Sequence, residues 1–438
     1  MYLLLTAVCL GSLIVSLLLN KKEIVSPSVL FSGSFLLVSI FAVIGKASWN
    51  KTELSVQAFA YLAIGIITFV AISCLIRGCY ERRLEFKSSL MGIQRNKSLD
   101  NWDFDLNRLN TLLVFVALSS AFYCFDVVRH LKSYGYPVSS FSEIASGYHE
   151  LGFSFGIAAR SQVGTYCYIF SYCAALVFAL ISFLPKAQNI RFKCLAGVLL
   201  GVPPLAITGL RTYVGHLLIS IIVMKAVLDT NKGAKEISLL KLVLVIMMGI
   251  PVLATVFDAL LDVVGRSTDL ELNSVDYLGY YIGVGIPGFS SYLAHGLPSM
   301  VGIDELFSAF HKNLYQFGLA QTPGSNSSLV FLEGASNVYT VFKTPYHDFG
   351  FLGIVVYSAF LAFVFTWLYE SAKTPGKKYS LLFYSLLSFI LIESVRDDFL
   401  SYWFGLNLLY YAVALISISV LLKLRCLSFE EAKVAEQR

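Results

Sequence analysis

Apolar residues in this chain neither alternate nor keep to one helical face. They run in unbroken blocks of about twenty, divided by polar stretches. Eleven blocks stand out, at about 2–19, 25–45, 55–76, 110–128, 162–184, 194–209, 212–229, 238–257, 346–369, 379–395 and 402–422. A helix of about 20 residues spans the hydrocarbon core of a bilayer. Within hydrocarbon every backbone amide needs an internal partner, and the alternation of barrel strands is absent. The pattern therefore predicts an all-α polytopic membrane protein with about 11 transmembrane helices, a single membrane domain over residues 1–438. Outer loops are expected at 129–161 and, between spans 8 and 9, at 259–345. The first block lacks a basic flank before it and a small-residue cleavage site after it, so it reads as a retained span. Loops between spans are usually short. One as long as 259–345, rich in polar and aromatic residues, is the natural place for chemistry at a membrane face.

Composition agrees with that reading. The chain is 57% hydrophobic and 14% charged, with mean hydropathy +0.71, more apolar surface than a soluble domain hides. With Asn20–Glu23 placed inside the cell, alternation of the spans puts 23 of the Lys and Arg residues inside and 10 outside. The positive-inside rule then sets the N-terminus outside and the C-terminus in the cytoplasm. The basic stretch 77–109 reads as a solvated anchor. The net charge of +5 reflects anchoring, and no nucleic-acid partner is expected. The long loop faces outward, where no ATP is available.

Several chemistries lack their signatures. The eight cysteines fall in spans or on the inner side, and no Cys-x-x-Cys pair occurs. The six histidines show no metal-ligand spacing, so no metal and no cofactor is expected. The phosphate-loop and Gly-x-Ser-x-Gly patterns are absent, as are two inverted halves of a transporter. Two triplets, Asn50-Lys51-Thr52 and Asn326-Ser327-Ser328, match glycosylation sequons.

Polar groups at the outer edge carry the candidate chemistry. Arg211 lies in Thr208-Gly209-Leu210-Arg211-Thr212, a tight turn between two spans. It suits either snorkelling to lipid headgroups or clamping a phosphate through two guanidinium N–H groups. Arg266 follows the eighth span and Arg160 precedes the fifth; both are ordinary loop charges or anion contacts. The long loop is acidic overall, so any anion must be held by a few placed arginines. Glu393 and Arg396, at i and i+3, are spaced to pair on one helical face. The aromatic groups at Tyr277–Tyr292 and Tyr402–Phe404 fit a membrane-interface belt, and also fit stacking on sugar rings.

These residues resemble a family. Tyr281-Ile282-Gly283-Val284-Gly285-Ile286-Pro287-Gly288-Phe289 is similar to a Tyr-x-x-Gly-x-x-Pro-x-Phe stretch of Wzy-type polymerases of O-antigen repeat units. Asn337-Val338-Tyr339-Thr340, followed by Tyr346-His347-Asp348-Phe349-Gly350, resembles their outer-loop signature before a span. Gly209-x-Arg211 resembles their arginine turn, and Arg396-Asp397-Asp398-Phe399 a polar segment near their C-terminus.

The resemblance implies a metal-independent glycosyltransferase of the bacterial inner membrane, working in lipopolysaccharide or related polysaccharide biosynthesis. Its substrates would be undecaprenyl-diphosphate-linked oligosaccharides, and its partners membrane lipids and a chain-length regulator. The growing glycan would pass to the non-reducing end of a new lipid-linked unit at the periplasmic face. Such chemistry needs charge neutralisation for the departing diphosphate and a base for the acceptor hydroxyl. Arg211 and Arg266, with Arg160 and Arg396, are the expected diphosphate contacts. His347, Asp348 or Glu333 is the expected base, although Asp348 also suits a helix N-cap. Asn337, Tyr339 and Tyr281 are expected sugar contacts. An O-antigen ligase shares the donor and the large loop, and a flippase for lipid-linked oligosaccharide is the alternative from another class.

Overall fold

The computed structural model describes residues 1–21, 23–44, 53–91, 102–154, 157–231, 279, 282–295, 305–320, 338–374 and 376–426. The blocks fold as helices: α1 Tyr2–Leu19, α2 Pro27–Ile44, α3 Val56–Met91, α4 Leu106–Ser133, α5 Phe141–Ser154, α6 Gln162–Ser182 and α7 Arg191–Asn231. The later helices are α8 Gly285–His295, α9 Ser308–Gln316, α10 Lys343–Ala372, α11 Lys378–Glu393, α12 Phe399–Trp403 and α13 Leu406–Leu421. Among the described residues, eight segments are long and apolar enough to cross a membrane. The eleven-span reading therefore stands in its coarser form, a multi-pass helical membrane protein. Its span at 238–257 lies outside the described residues. Two shorter helices, α11 and α13, are packed against the long ones.

Polar residues set the helix starts. Asp105 caps α4 by accepting the N–H groups of Asn107 and Arg108, and Ser161 caps α6 by accepting that of Gly164. Large apolar side chains stay exposed along the outside, as on α13 at Leu409, Val413, Ile416 and Val420. Such a contiguous surface is tolerated in lipid and not in water.

Helix α7 runs through the tight turn expected at 208–212. Helical residues continue through it, with Pro203 and Pro204 inside the helix. Yet the packing against α6 reverses there. Gly197 lies against Phe178 and Gly201 against Ser171 and Ala175. Beyond the turn, Tyr213 meets Tyr168, Ser220 meets Tyr172, and Lys225 sits over the ring of Phe183. A straight helix would separate residues 197 and 225 by about 42 Å, whereas Phe178 and Phe183 are about 8 Å apart along theirs. The two halves, Lys186–Thr208 and Thr212–Thr230, therefore form a hairpin with no loop between them.

Other expectations also shift. The supposed loops contain α5, α8 and α9, and α3 continues to Met91 into the stretch read as a solvated anchor. The span expected at 402 starts at Leu406, after the short helix α12. Helix α10 starts at Lys343, so Asp348 is not its N-cap. Gly350, at φ +59°, kinks that helix in a conformation glycine adopts without steric cost.

Helix ends gather at two poles. At the basic pole Arg77 donates to Asn20 (2.7 Å) and Glu23 (2.8 Å), and Lys373 pairs with Glu23 and Glu370. There too a short strand Trp102–Asp103 pairs antiparallel with Arg425–Cys426. The opposite pole holds Arg160, the α7 turn, Asp348 and the segment from Glu393 to Leu406.

Candidate active site

Arg160 is positioned by its neighbour. Buried Asp126 accepts both the Ser161 N–H (2.7 Å) and the Ser161 hydroxyl (2.9 Å), fixing the start of α6. The guanidinium then donates Nε to Thr165 Oγ1 (3.2 Å) and Nη1 to the Tyr123 hydroxyl (3.3 Å). Tyr123 in turn meets Thr208 Oγ1 at 2.6 Å, and Thr208 donates to the Pro204 carbonyl (2.7 Å). The Arg160 carbon Cζ lies 5.0 Å from the centre of the Tyr168 ring. Among the described residues no carboxylate lies within ion-pair distance of Arg160. Among the described residues its charge, fixed at any physiological pH, is met by hydroxyls and ring faces.

Arg160 opens into a cavity of about 160 Å³. Thr208 and Tyr213, which flank the α7 turn, line it, together with Tyr402, Trp403, Asn407 and Tyr411 from the C-terminal helices. The turn that carries Arg211 is thus part of the cavity rim; the Arg211 side chain lies outside the described residues. A half-buried cation beside aromatic faces and hydroxyls suits an anion that also carries sugar or prenyl groups.

A second group of polar residues adjoins it. Tyr213 touches His216, which stacks on Phe389 at 3.8 Å and lies 3.8 Å from Glu393. Glu393 pairs with Arg396 at 2.9 Å, the i, i+3 contact expected from the sequence. Tyr402 donates to Asp397 (3.0 Å). Asp398 accepts from the Tyr357 hydroxyl (2.6 Å) and from Ser401. Burial pushes the Asp397 carboxyl above the usual range, and burial, partly offset by Ser401 and Tyr357, pushes Asp398 up to about 7.

The segments singled out by sequence meet here. Tyr339 N–H donates to the Arg396 carbonyl (2.9 Å) and Val341 N–H to that of Ser394 (2.7 Å). A Cβ on Gly285 would collide with the Val395 carbonyl, and one on Gly288 with that of Val338. Glycine is therefore what lets α8 seat against both strands of backbone. Lys343 pairs with buried Glu305 at 3.3 Å and lies over the rings of Tyr339 and Tyr292. Tyr292 meets His347 Nδ1 at 2.6 Å.

Asp348 is fully buried. Its carboxylate accepts the backbone N–H groups of Glu305 (3.2 Å) and Leu306 (2.7 Å). It anchors the turn that leads into α9. Of the expected base candidates, His347 keeps partial exposure, whereas Glu333 lies outside the described residues, as do Arg266, Asn337 and Tyr281. The cavity residues Thr165, Tyr168, Tyr213 and Tyr411, and Tyr123 that accepts from Arg160, were not singled out from the sequence.

Fold and site together describe a multi-pass helical membrane protein with an arginine-centred, tyrosine-lined cavity at one pole. Comparison with family models, with curated proteins and with solved structures returns no match.

Proposed function

We propose that this protein is a polymerase of lipid-linked oligosaccharide repeat units, a glycosyltransferase of the Wzy type acting at the outer face of a bacterial inner membrane. The observation that carries the reading is Arg160, a cation without a carboxylate partner among the described residues, beside the turn that bears Arg211. In this reading the basic pole faces the cytoplasm and about eleven spans cross the membrane, with the N-terminus outside. The diphosphate of the donor sits against Arg160 and Arg211. The acceptor hydroxyl attacks the anomeric carbon, the bond from that carbon to the diphosphate oxygen breaks, and the hydroxyl proton passes to a base. The arginines neutralise the departing charge in a site partly shielded from water. His347, oriented by Tyr292, is the base favoured by its exposure, and Asp348 positions the loop around it. Arg396 is held by Glu393.

A glycan gel of a deletion strain beside its complement tests this. Loss of the polymerase leaves one repeat unit on the core. Long chains retained on undecaprenyl diphosphate would instead identify a ligase. Repeat units trapped on the cytoplasmic face would identify a flippase.

A further inference from the structure

At the basic pole, far along the helices from Arg160, lies a second and larger cavity of about 640 Å³. The strand pair at Trp102–Asp103 and Arg425–Cys426 adjoins it, with the start of α11 and the end of α13. Four cations line it, Lys186, Lys378, Lys423 and Arg425, against two carboxylates, Asp103 and Asp105. Both carboxylates are already engaged. Asp103 pairs with Lys186 and lies 3.7 Å from Arg425, and Asp105 caps α4 and pairs with Arg108 at 3.2 Å. Among the described residues Lys378 donates to the Leu424 carbonyl and lies over the Tyr379 ring, Lys423 is exposed, and neither has an ion-pair partner. These two lysines therefore have no carboxylate partner among the described residues.

Two further observations indicate what would meet them. Ser419 lines the cavity and is fully buried, and its hydroxyl has no hydrogen-bond partner among the described residues. Val420 also lines it, 62% exposed, and ends the outward apolar stripe of Leu409, Val413 and Ile416 on α13. A free phosphate would use the cations and leave the stripe bare. A phospholipid uses both, with its phosphate among the lysines and an acyl chain along α13. Lysines at helix ends stand at headgroup depth, where each contributes to anionic-lipid attraction.

We propose that this cavity is a binding site for the headgroup of an anionic phospholipid from the adjoining leaflet. The site is separate from the Arg160 cavity and does not depend on the polymerase reading, because its test measures lipid retention and not glycan transfer. The full-length protein is reconstituted in an equal mixture of phosphatidylglycerol and phosphatidylcholine. After release, native mass spectrometry counts the lipids retained. Wild type is expected to retain phosphatidylglycerol in preference. Lys423→Gln, an exposed and unpaired position, should lower that preference on the order of fivefold, and Lys378→Gln by a similar factor. An unchanged preference in the double variant, at an unchanged melting temperature, would overturn the proposal. So would displacement of the bound lipid by millimolar inorganic phosphate, which would mark a site for small anions. If Lys378→Gln fails to fold, Lys423→Glu alone carries the test, with loss of the preference expected.

Discussion

Among single residues, Arg160 is the one on which the proposed chemistry depends. Two hydroxyls fix its fork, so a lysine retains the charge and loses the geometry. Arg160→Lys should slow polymerisation roughly thirtyfold, the equivalent of about 2 kcal/mol for a lost charged hydrogen bond. Shortened chains on a glycan gel at equal protein level would show it. Asp398 gives a pH prediction. Burial raises its folded pKa from 3.8 to about 7, so the folded state binds this proton more tightly than the unfolded chain does. Its contribution to stability is complete below the unfolded pKa and is lost as pH rises through about 7. The melting temperature of the purified protein should therefore decline across that range, and Asp398→Asn should flatten the decline. In the sequence Arg160 stood beside Arg211, Arg266 and Arg396 as one of several arginines at span edges, with nothing to set it apart. Its tyrosine partners were no more legible, since Tyr123, Tyr168 and Tyr213 sit inside apolar runs where aromatics are commonplace, and only tertiary packing turns them to one side.

Elements were more legible than residues. Long apolar runs fixed the helices, because hydrocarbon leaves the backbone no other way to satisfy itself. Helix ends were less so. Asp348 accepts the N–H groups of the distant turn at Glu305–Leu306 and Gly350 kinks α10, features that no local pattern encodes. Asp348→Ala would leave those buried N–H groups without an acceptor, costing about 1–3 kcal/mol each. A fall in melting temperature is the expected result; lost activity at full stability would instead make Asp348 a catalytic base. The hairpin in α7 has its own test. Leu199 and Ile222 are exposed on opposite halves. Spin labels there would stand about 35 Å apart on a straight helix, and much closer if the helix folds back. Pulsed electron resonance should give the short distance.

For the whole molecule, the two poles divide the work. The basic pole is stitched by ion pairs around Arg77, Glu23, Glu370 and Lys373, and the opposite pole gathers the Gly285–Phe289, Tyr339–Tyr346 and Glu393–Asp398 segments. The sequence showed these segments as separate motifs. Their meeting is a product of topology, through the backbone pairing of Tyr339 and Val341 with Arg396 and Ser394. In the proposed reaction Arg160 receives the leaving lipid diphosphate. The direct measurement uses lipid-linked repeat units extracted from a deletion strain and presented to the purified protein in proteoliposomes, with release of undecaprenyl diphosphate followed over time. Wild type should release it as chains lengthen, and Arg160→Ala should release it roughly 100-fold more slowly. Release by Arg160→Ala at the wild-type rate would contradict the account.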